Sequence, residues 1–354
     1  MEKILLISNY AHHYRLKNYN YFSEQFKKCG YEFVLLTEGM DKVDFSINYP
    51  IIVEKQNITK YIQVIEETKP SAVIIFLHLK DIVNYPVSIY CKLKSIPSIF
   101  WNKGINIKTP NNFIKNQFYY FLHNIADAIV LYTPNEIKDI RPRNHSKVFF
   151  GYNTLSFEGL DKDKVPDLAY VKNKYGIKED NIVLFAATIK EDKKLDALLK
   201  EPCLDKSIAV VIAGKGINEE QLTLINSYSN YYYIGTIPYD DYEMNALFKA
   251  CKFFTTPGDL GLALNQALFW GKPVVALDVP HSVEIYYLVN DYNGYLAKNM
   301  KDFWSFIQDL NQDSDRYMQF SANCFESFDN KAHISNMYNG FESAVKFATK
   351  RDTK

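Results

Sequence analysis

The sequence predicts an α/β protein: two tandem doubly wound domains whose strand C-termini face a cleft, followed by a helical tail. Three observations predict it. Short apolar runs alternate with helical-period segments from Lys3 to Phe150 and again from Asn181 to Leu277, the pattern of parallel sheets with helical crossovers. A chain of 354 residues exceeds one ordinary core and suits two. Between the two alternating regions lies a charged, turn-rich stretch, Ser156–Val165. The domains are therefore placed at 1–155 and 166–330, with a linker at 156–165. A C-terminal helix over about 331–354 is expected to pack back on the first domain.

The first domain opens with a strand, Lys3–Ser8, and a polar, aromatic loop, Asn9–Arg15. A helix over Leu16–Cys29 stops at Gly30, and Tyr31–Thr37 is the next strand. This is a βαβ unit with a right-handed crossover. Helices follow at Ile58–Thr68, Tyr85–Lys94 and Asn111–Asn124, with strands at Ser71–Leu77, Pro97–Trp101, Ala128–Tyr132 and Lys147–Phe150. That makes about six parallel strands. The helix Asn111–Asn124 carries Phe113, Ile114, Phe118, Phe121 and Leu122 at helical spacing, with Lys108 and Lys115 nearby. It is read as a core-packing face, with interfacial membrane contact as the alternative.

The alternation restarts with strands at Asn181–Ala186, Ile208–Ala213, Tyr231–Ile234, Phe253–Thr255 and Val274–Leu277. The helices between them are Leu195–Leu199, Glu219–Tyr228 and Asp241–Ala250. The tail, Phe303–Lys350, reads as helical throughout. One stretch stands apart: Pro257 ends a strand, Gly258 and Gly261 bracket Asp259 and Leu260, and a helix follows from Leu262 until Gly271 stops it. A glycine loop at a strand C-terminus, leading into a helix N-terminus, suits a phosphate. The loop Asn9–Arg15 has no glycine, so it is not a dinucleotide fingerprint.

Composition narrows the function. Lys plus Arg and Asp plus Glu are equal at 41 each, so nothing draws the chain as a whole to nucleic acid. The first 155 residues carry 19 basic and 13 acidic residues, a net of +6, which favours an anionic ligand or membrane surface. The five cysteines are scattered and odd in number, which predicts reduced thiols in a cytoplasmic protein and no zinc site. The N-terminal run Ile4–Ile7 is too short for a secretory leader, and Ala72–Leu77 is too short to span a bilayer.

Several motifs in order resemble the retaining GT-B glycosyltransferases of family 4, in a branch found in bacterial surface-polysaccharide synthesis. These are Gly261-Leu262 through Gln266-Ala267, Gly271-Lys272-Pro273-Val274-Val275 with Asp278, Glu284, Asn293-Gly294-Tyr295-Leu296, Gly214-Lys215-Gly216 and Tyr233-Ile234-Gly235. In the first domain they are Tyr14-Arg15, Trp101-Asn102-Lys103-Gly104-Ile105-Asn106 and Tyr152-Asn153-Thr154. The resemblance spans nearly the whole chain and is stronger in the second domain. It departs where the family carries two glutamates with seven residues between them, which are Gly258 and Gln266 here. Thr188 stands for an arginine of the diphosphate clamp, and Lys103 for a histidine.

The resemblance implies transfer of a sugar from a nucleotide sugar to a glycan acceptor, free or polyprenyl-diphosphate-linked, without nucleic acid. Breaking the anomeric bond leaves negative charge on the diphosphate, which preorganised cations and amides must meet. No Asp-x-Asp metal clamp accompanies the glycine loop, so no metal or other cofactor is expected. The donor-binding set is Lys190, Lys193, Gly235, Thr236, Ile237, Asp259, Leu260, Gly261, Leu262, Gln266 and Glu284, with Leu260–Leu262 as the cradle and Gln266 on the ribose. Lys103, His78 and Asp259 are the catalytic candidates. Asn9, Tyr10, His12, His13, Tyr14 and Arg15 form the acceptor-binding set. The bland readings are a solvated turn around Lys193, a structural histidine at 78 and an exposed loop lysine at 103. Two other functions fit the same fold: a catalytically weak nucleotide-sugar-binding partner subunit, and a sugar-nucleotide epimerase. The expected location is cytoplasmic, peripheral to the inner face of the cell membrane.

Overall fold

The structure is a computed structural model that describes residues 1–76, 78, 80–105, 111–237 and 241–350. Leu77, Asn106 and Lys108, named above, lie outside the described residues. The chain divides into two units: Met1–Glu158 with His333–Lys354, and Gly159–Ala332.

In chain order the first unit contains β1 (Glu2–Ile7), β2 (Tyr10–Ala11), α1 (His13–Lys28), β3 (Tyr31–Thr37), β4 (Gly39–Met40), β5 (Ile51–Val53), α2 (Ile58–Thr68), β6 (Ala72–Phe76), α3 (Asn84–Leu93), β7 (Ser98–Asn102), α4 (Phe113–Ile125), β8 (Ala128–Leu131) and β9 (Val148–Phe150). Seven strands form one parallel sheet in the order β5-β3-β1-β6-β7-β8-β9. Its central strands are apolar on both faces because helices cover both; Ile4, Leu5, Leu6, Val73, Ile74, Ile75, Ile99 and Phe100 are all buried. The sequence reading missed the edge strand β5, whose three residues leave no periodicity to detect.

The second unit contains α5 (Leu168–Tyr175), β10 (Asn181–Ala186), α6 (Leu195–Lys200), β11 (Ile208–Ala213), α7 (Glu219–Ser227), β12 (Tyr231–Gly235), α8 (Asp241–Ala250), β13 (Phe253–Thr255), α9 (Ala263–Phe269), β14 (Val274–Leu277), β15 (Gly294–Ala297), α10 (Met300–Gln312) and α11 (Ser314–Ser327). Its six-stranded sheet runs β12-β11-β10-β13-β14-β15, all parallel. The chain continues into α12 (Ile334–Ala348), which belongs to the first unit. There Phe341 packs 5.0 Å from Phe22 and 5.2 Å from Trp101, and Tyr338 lies 5.0 Å from Phe26. The tail is thus not one continuous helix. Asp313 ends α10 and caps α11 by accepting the Arg316 N–H at 3.0 Å. A π turn over Phe328–Ala332 then precedes α12.

The expected core face of α4 is reversed. Phe113, Ile114, Phe118 and Phe121 are exposed, while Asn116, Tyr119, Leu122 and His123 are buried. Spacing identifies two stripes on a helix but not which of them the fold covers. Helix α1 also begins earlier than predicted, so His13, Tyr14 and Arg15 belong to its first turn rather than to a loop. The reason is distant in sequence. The Asp41 carboxylate accepts the His13 N–H at 3.0 Å and supplies the N-terminal anion that the helix lacks locally.

Candidate functional site

In a doubly wound sheet, ligands gather at strand C-termini where the strand order reverses. In the second unit that point lies between β10 and β13, and the turns following these two strands meet there. The Gly258 N–H donates to the Lys193 carbonyl at 3.1 Å, and the Asp259 N–H to the Asp192 carbonyl at 2.8 Å. The Lys193 ammonium donates to the Asp259 carbonyl and sits 3.4 Å from its carboxylate. That carboxylate also accepts from the Ser282 amide and, at 2.9 Å, from the Ser282 hydroxyl. Thr256 Oγ1 donates to the Asp259 carbonyl at 3.1 Å. Asp259 is therefore a tie between three loops, its charge met by Ser282 and Lys193. An ammonium has three donors and Asp259 engages two, which leaves one for a ligand oxygen. The ammonium also faces Gly261, where an added Cβ would lie 3.8 Å away.

Gly258 explains one departure from the family pattern. A Cβ there would overlap the Asp192 carbonyl and come 3.0 Å from the Lys193 carbonyl carbon. The turn that delivers Lys193 occupies the space that a glutamate at 258 would need.

The predicted cradle is only partly open. Leu260 is fully buried, and its N–H donates to His281 Nδ1 at 3.3 Å, while His281 Nε2 lies 2.9 Å from the Leu277 carbonyl. An Nδ1 that accepts and an Nε2 that donates define a neutral ring. Burial lowers the His281 pKa in the same sense. Gly261 and Leu262 are partly exposed ahead of α9. Gln266 is buried and donates from Nε2 to Asn245 Oδ1 at 2.9 Å, an oxygen that also accepts Trp270 Nε1 at 2.7 Å. Indole N–H only donates, so it fixes the Asn245 oxygen and, through it, the Gln266 amide. The Gln266 oxygen must face away from Asn245. Glu284 is buried in the 3-10 turn Val283–Tyr287. Lys190 is exposed ahead of the turn that carries Lys193. Gly235 ends the edge strand β12, two strands from β10, and Thr236 and Ile237 follow it, Thr236 exposed and Ile237 buried. Sequence reasoning missed Ser282, His281, Asn245 and Trp270. The position of His281 and Ser282 just after β14 was the signal that could have found the first two.

In the first unit the strand order reverses between β1 and β6. The Arg15 guanidinium stacks 4.0 Å from the Phe76 ring and 5.0 Å from Trp101, at the ends of β6 and β7. Its Nη2 donates to the Tyr132 hydroxyl at 3.4 Å, and its buried Nε has no hydrogen-bond partner among the described residues. The Lys103 ammonium lies 5.1 Å from the centre of the same Tyr132 ring. The two cations thus converge on Tyr132, and neither has a carboxylate partner among the described residues. Asn102 Oδ1 accepts the Gly104 N–H at 2.6 Å and shapes the turn that carries Lys103.

The remaining acceptor candidates form another group. Tyr10 and Ala11 pair with Gly39 and Met40. The Asp41 carboxylate lies 3.4 Å from His12 Nδ1 and 3.5 Å from His13 Nδ1. Burial works to raise the Asp41 pKa, but the His13 amide, Tyr10 and His12 outweigh it and hold it below the usual carboxylate range. Asn9 is half-buried and its carbonyl accepts from Thr37 Oγ1. Tyr14 lies edge-on to His13 at 5.5 Å. His78, two residues beyond the end of β6, is half-exposed and 3.9 Å from the Asp81 carboxylate. Among the described residues no cluster of three or more His, Cys, Asp or Glu is placed to hold a metal ion, and no helix is long and apolar enough to cross a membrane.

Residues 180–313 match the family model described as Glycosyl transferases group 1. No curated protein matches the chain. Among solved structures, a glycosyltransferase from Rickettsia africae ESF-5 is similar with a TM-score of 0.77 at 11% identity, over 99% of each chain. HepE of Anabaena, solved with UDP and glucose, is similar at 0.73 and 12% identity, over 98% of this chain and 100% of that one. WaaG, a glycosyltransferase involved in lipopolysaccharide biosynthesis, is similar at 0.64 and 14% identity, over 98% and 99%. Residues 180–313 of the second unit thus match a group 1 glycosyltransferase model, in a chain of GT-B-like fold with two Rossmann-like units, and the protein is a glycosyltransferase.

Proposed function

We propose that the protein transfers a sugar from a nucleoside diphosphate sugar to an anionic, lipid-linked glycan acceptor in bacterial capsule, O-antigen or exopolysaccharide synthesis. It is read as a retaining, family 4 enzyme that uses no metal and works at the cytoplasmic face of the membrane. The observation that carries this reading is the Lys193–Asp259–Ser282 tie at the reversal point of the second sheet. Asp259 holds the Lys193 ammonium beside Gly261, and the donor diphosphate would take the remaining N–H of Lys193 together with the amides opening α9. As the anomeric bond breaks, the leaving oxygen gains charge, and a cation already in place stabilises it without reorganising. In a same-face mechanism the leaving phosphate is itself the base for the incoming hydroxyl, so no carboxylate pair is required. The Gln266 oxygen, turned from Asn245, is offered to the ribose. Arg15 and Lys103 would take the acceptor's phosphate.

The test is a panel of UDP-, GDP-, dTDP- and CDP-sugars, read by release of nucleoside diphosphate with and without a polyprenyl-diphosphate-linked acceptor. Release from one donor that increases with acceptor is expected; release from none overturns the reading. A second reading, a nucleotide-sugar-binding subunit with little turnover, is favoured by Gly258, Gln266 and Thr188. Calorimetric binding of a donor with no release would select it.

A further inference from the structure

The first unit carries an inverted helix pair. On α4, Ile114, Phe118 and Phe121 form an outward stripe at i, i+4 and i+7, with Phe113 beside it; these side chains are 71%, 51%, 45% and 74% exposed. The opposite stripe buries Tyr119 and His123, although both ring nitrogens of His123 have no hydrogen-bond partner among the described residues. A helix folded for water alone would place those stripes the other way round. The neighbouring helix α3 packs against α4, joined by the edge-on contact of Tyr85 with Phe118 at 6.1 Å. It extends the apolar face with Ile89 and Leu93, joined by Ile82 just before the helix; the three are 42%, 79% and 74% exposed. The three phenylalanine rings alone leave roughly 250–400 Å² in water. The four aliphatic side chains bring the total above the roughly 300–600 Å² typical of a monomer's largest apolar patch.

Charge identifies what covers this face. Neither α3 nor α4 contains Asp or Glu. Lys80, Lys94 and Lys115 are exposed around the patch. Arg141 lies 4.3 Å from the Tyr120 ring and donates to Gln117, and Arg143 donates to Asn124 on the same helix. The carboxylates at the edges are engaged: Asp127 pairs with Lys92 at 3.1 Å, and Glu66 accepts from the Tyr90 hydroxyl at 2.8 Å. Apolar rings at the centre and cations at the rim are complementary to an acyl boundary under anionic headgroups.

We infer that α3 and α4 dock the protein on an anionic phospholipid bilayer, with Phe113, Ile114 and Phe118 inserted and Lys115 at the headgroup level. The inference rests on the proposed function only for the lipid-linked acceptor that such docking would bring within reach; docking itself needs no donor. The experiment is co-flotation of the full chain with vesicles of phosphatidylcholine alone and of equimolar phosphatidylcholine and phosphatidylglycerol. Binding to the mixed vesicles is expected, and the variant Phe113→Ser/Ile114→Ser/Phe118→Ser should lose roughly a hundredfold or more in affinity. Because these side chains face solvent, the variant should retain its circular dichroism and melting temperature. Leu204→Ser/Met318→Ser, which removes exposed apolar side chains from the other unit, should bind vesicles like the native chain. Failure of the native chain to float, or flotation of the triple variant at native affinity, overturns the inference. So does a native dimer in sedimentation that the triple variant converts to monomer, since the face would then be a protein interface. Flotation without nucleoside diphosphate release refutes the transfer reading alone, and release without flotation refutes the docking alone.

Discussion

His123 makes the inversion of α4 measurable. Its ring is fully buried, and burial, reinforced by the charge of Lys147, pushes its pKa down to about 3 from 6.5. As pH falls, the unfolded chain takes up this proton near 6.5 and the folded chain only near 3. Between those values the unfolded state binds more protons, so stability is intact above about 6.5 and is lost progressively below it. At about 1.4 kcal/mol per pH unit, the loss amounts to roughly 5 kcal/mol by about pH 3. The perturbation is His123→Leu, which removes the titration and two unpartnered nitrogens from the core. It should stabilise the first unit by about 1–3 kcal/mol at neutral pH, and the advantage should grow by roughly 1.4 kcal/mol for each pH unit from about 6 to about 4. The assay is amide hydrogen exchange of the central strand Ser98–Asn102, whose opening requires the unit to unfold. Comparing the two proteins at each pH cancels the intrinsic exchange rate and every other titrating group. A difference that stays flat with pH, or a destabilised variant, would refute the reasoning.

Four further outcomes test the sites. Lys193→Ala should reduce donor turnover by roughly 10²–10³-fold in the nucleoside diphosphate release assay, while Lys200→Ala, an exposed control, should leave it unchanged. Asp259→Asn should weaken binding of the donor sugar nucleotide and of its nucleoside diphosphate to the same extent in calorimetry, because Asp259 acts by holding Lys193 and Ser282; a loss confined to the sugar-bearing ligand would make it a sugar contact instead. Gly258→Ala places a Cβ on the Asp192 carbonyl, so it should lower the stability of the second unit by about 1–3 kcal/mol and weaken donor binding with it. Arg15→Met and Lys103→Met should raise the KM for a phosphate-bearing acceptor without changing donor hydrolysis; an equal effect on both reactions would remove them from acceptor recognition.

How much of this was legible depends on how far apart the interacting residues lie in the chain. The strands were readable because Ile4–Ile7, Val73–Ile75 and Val183–Phe185 are apolar on consecutive positions, which a sheet covered on both faces demands. The glycine loop was readable because Pro257, Gly258 and Gly261 act on their own backbone. The start of α1 was not, because its N-terminal anion, Asp41, lies 28 residues away from His13. The exposed face of α4 was not, because periodicity gives the two stripes without assigning the inside. The internal network of Gln266 was not, because Asn245 and Trp270 come from either side of it in sequence.

The glycine at 258 and the lysine at 193 belong to one arrangement. Read along the chain, the missing glutamate and the retained lysine look like independent events, one weakening a donor site and the other preserving it. In the fold the Asp192–Lys193 backbone lies against Gly258, bonded to it and to Asp259 through two amides. A side chain at 258 would push that turn away and withdraw the ammonium from Gly261. The carboxylate at 258 is therefore excluded by the placement of the cation, and Asp259, one residue on, supplies the negative charge that orients it. Restoring a glutamate at 258 would disrupt this arrangement rather than repair it, because the charge would arrive together with the displacement of the lysine it would need to pair with.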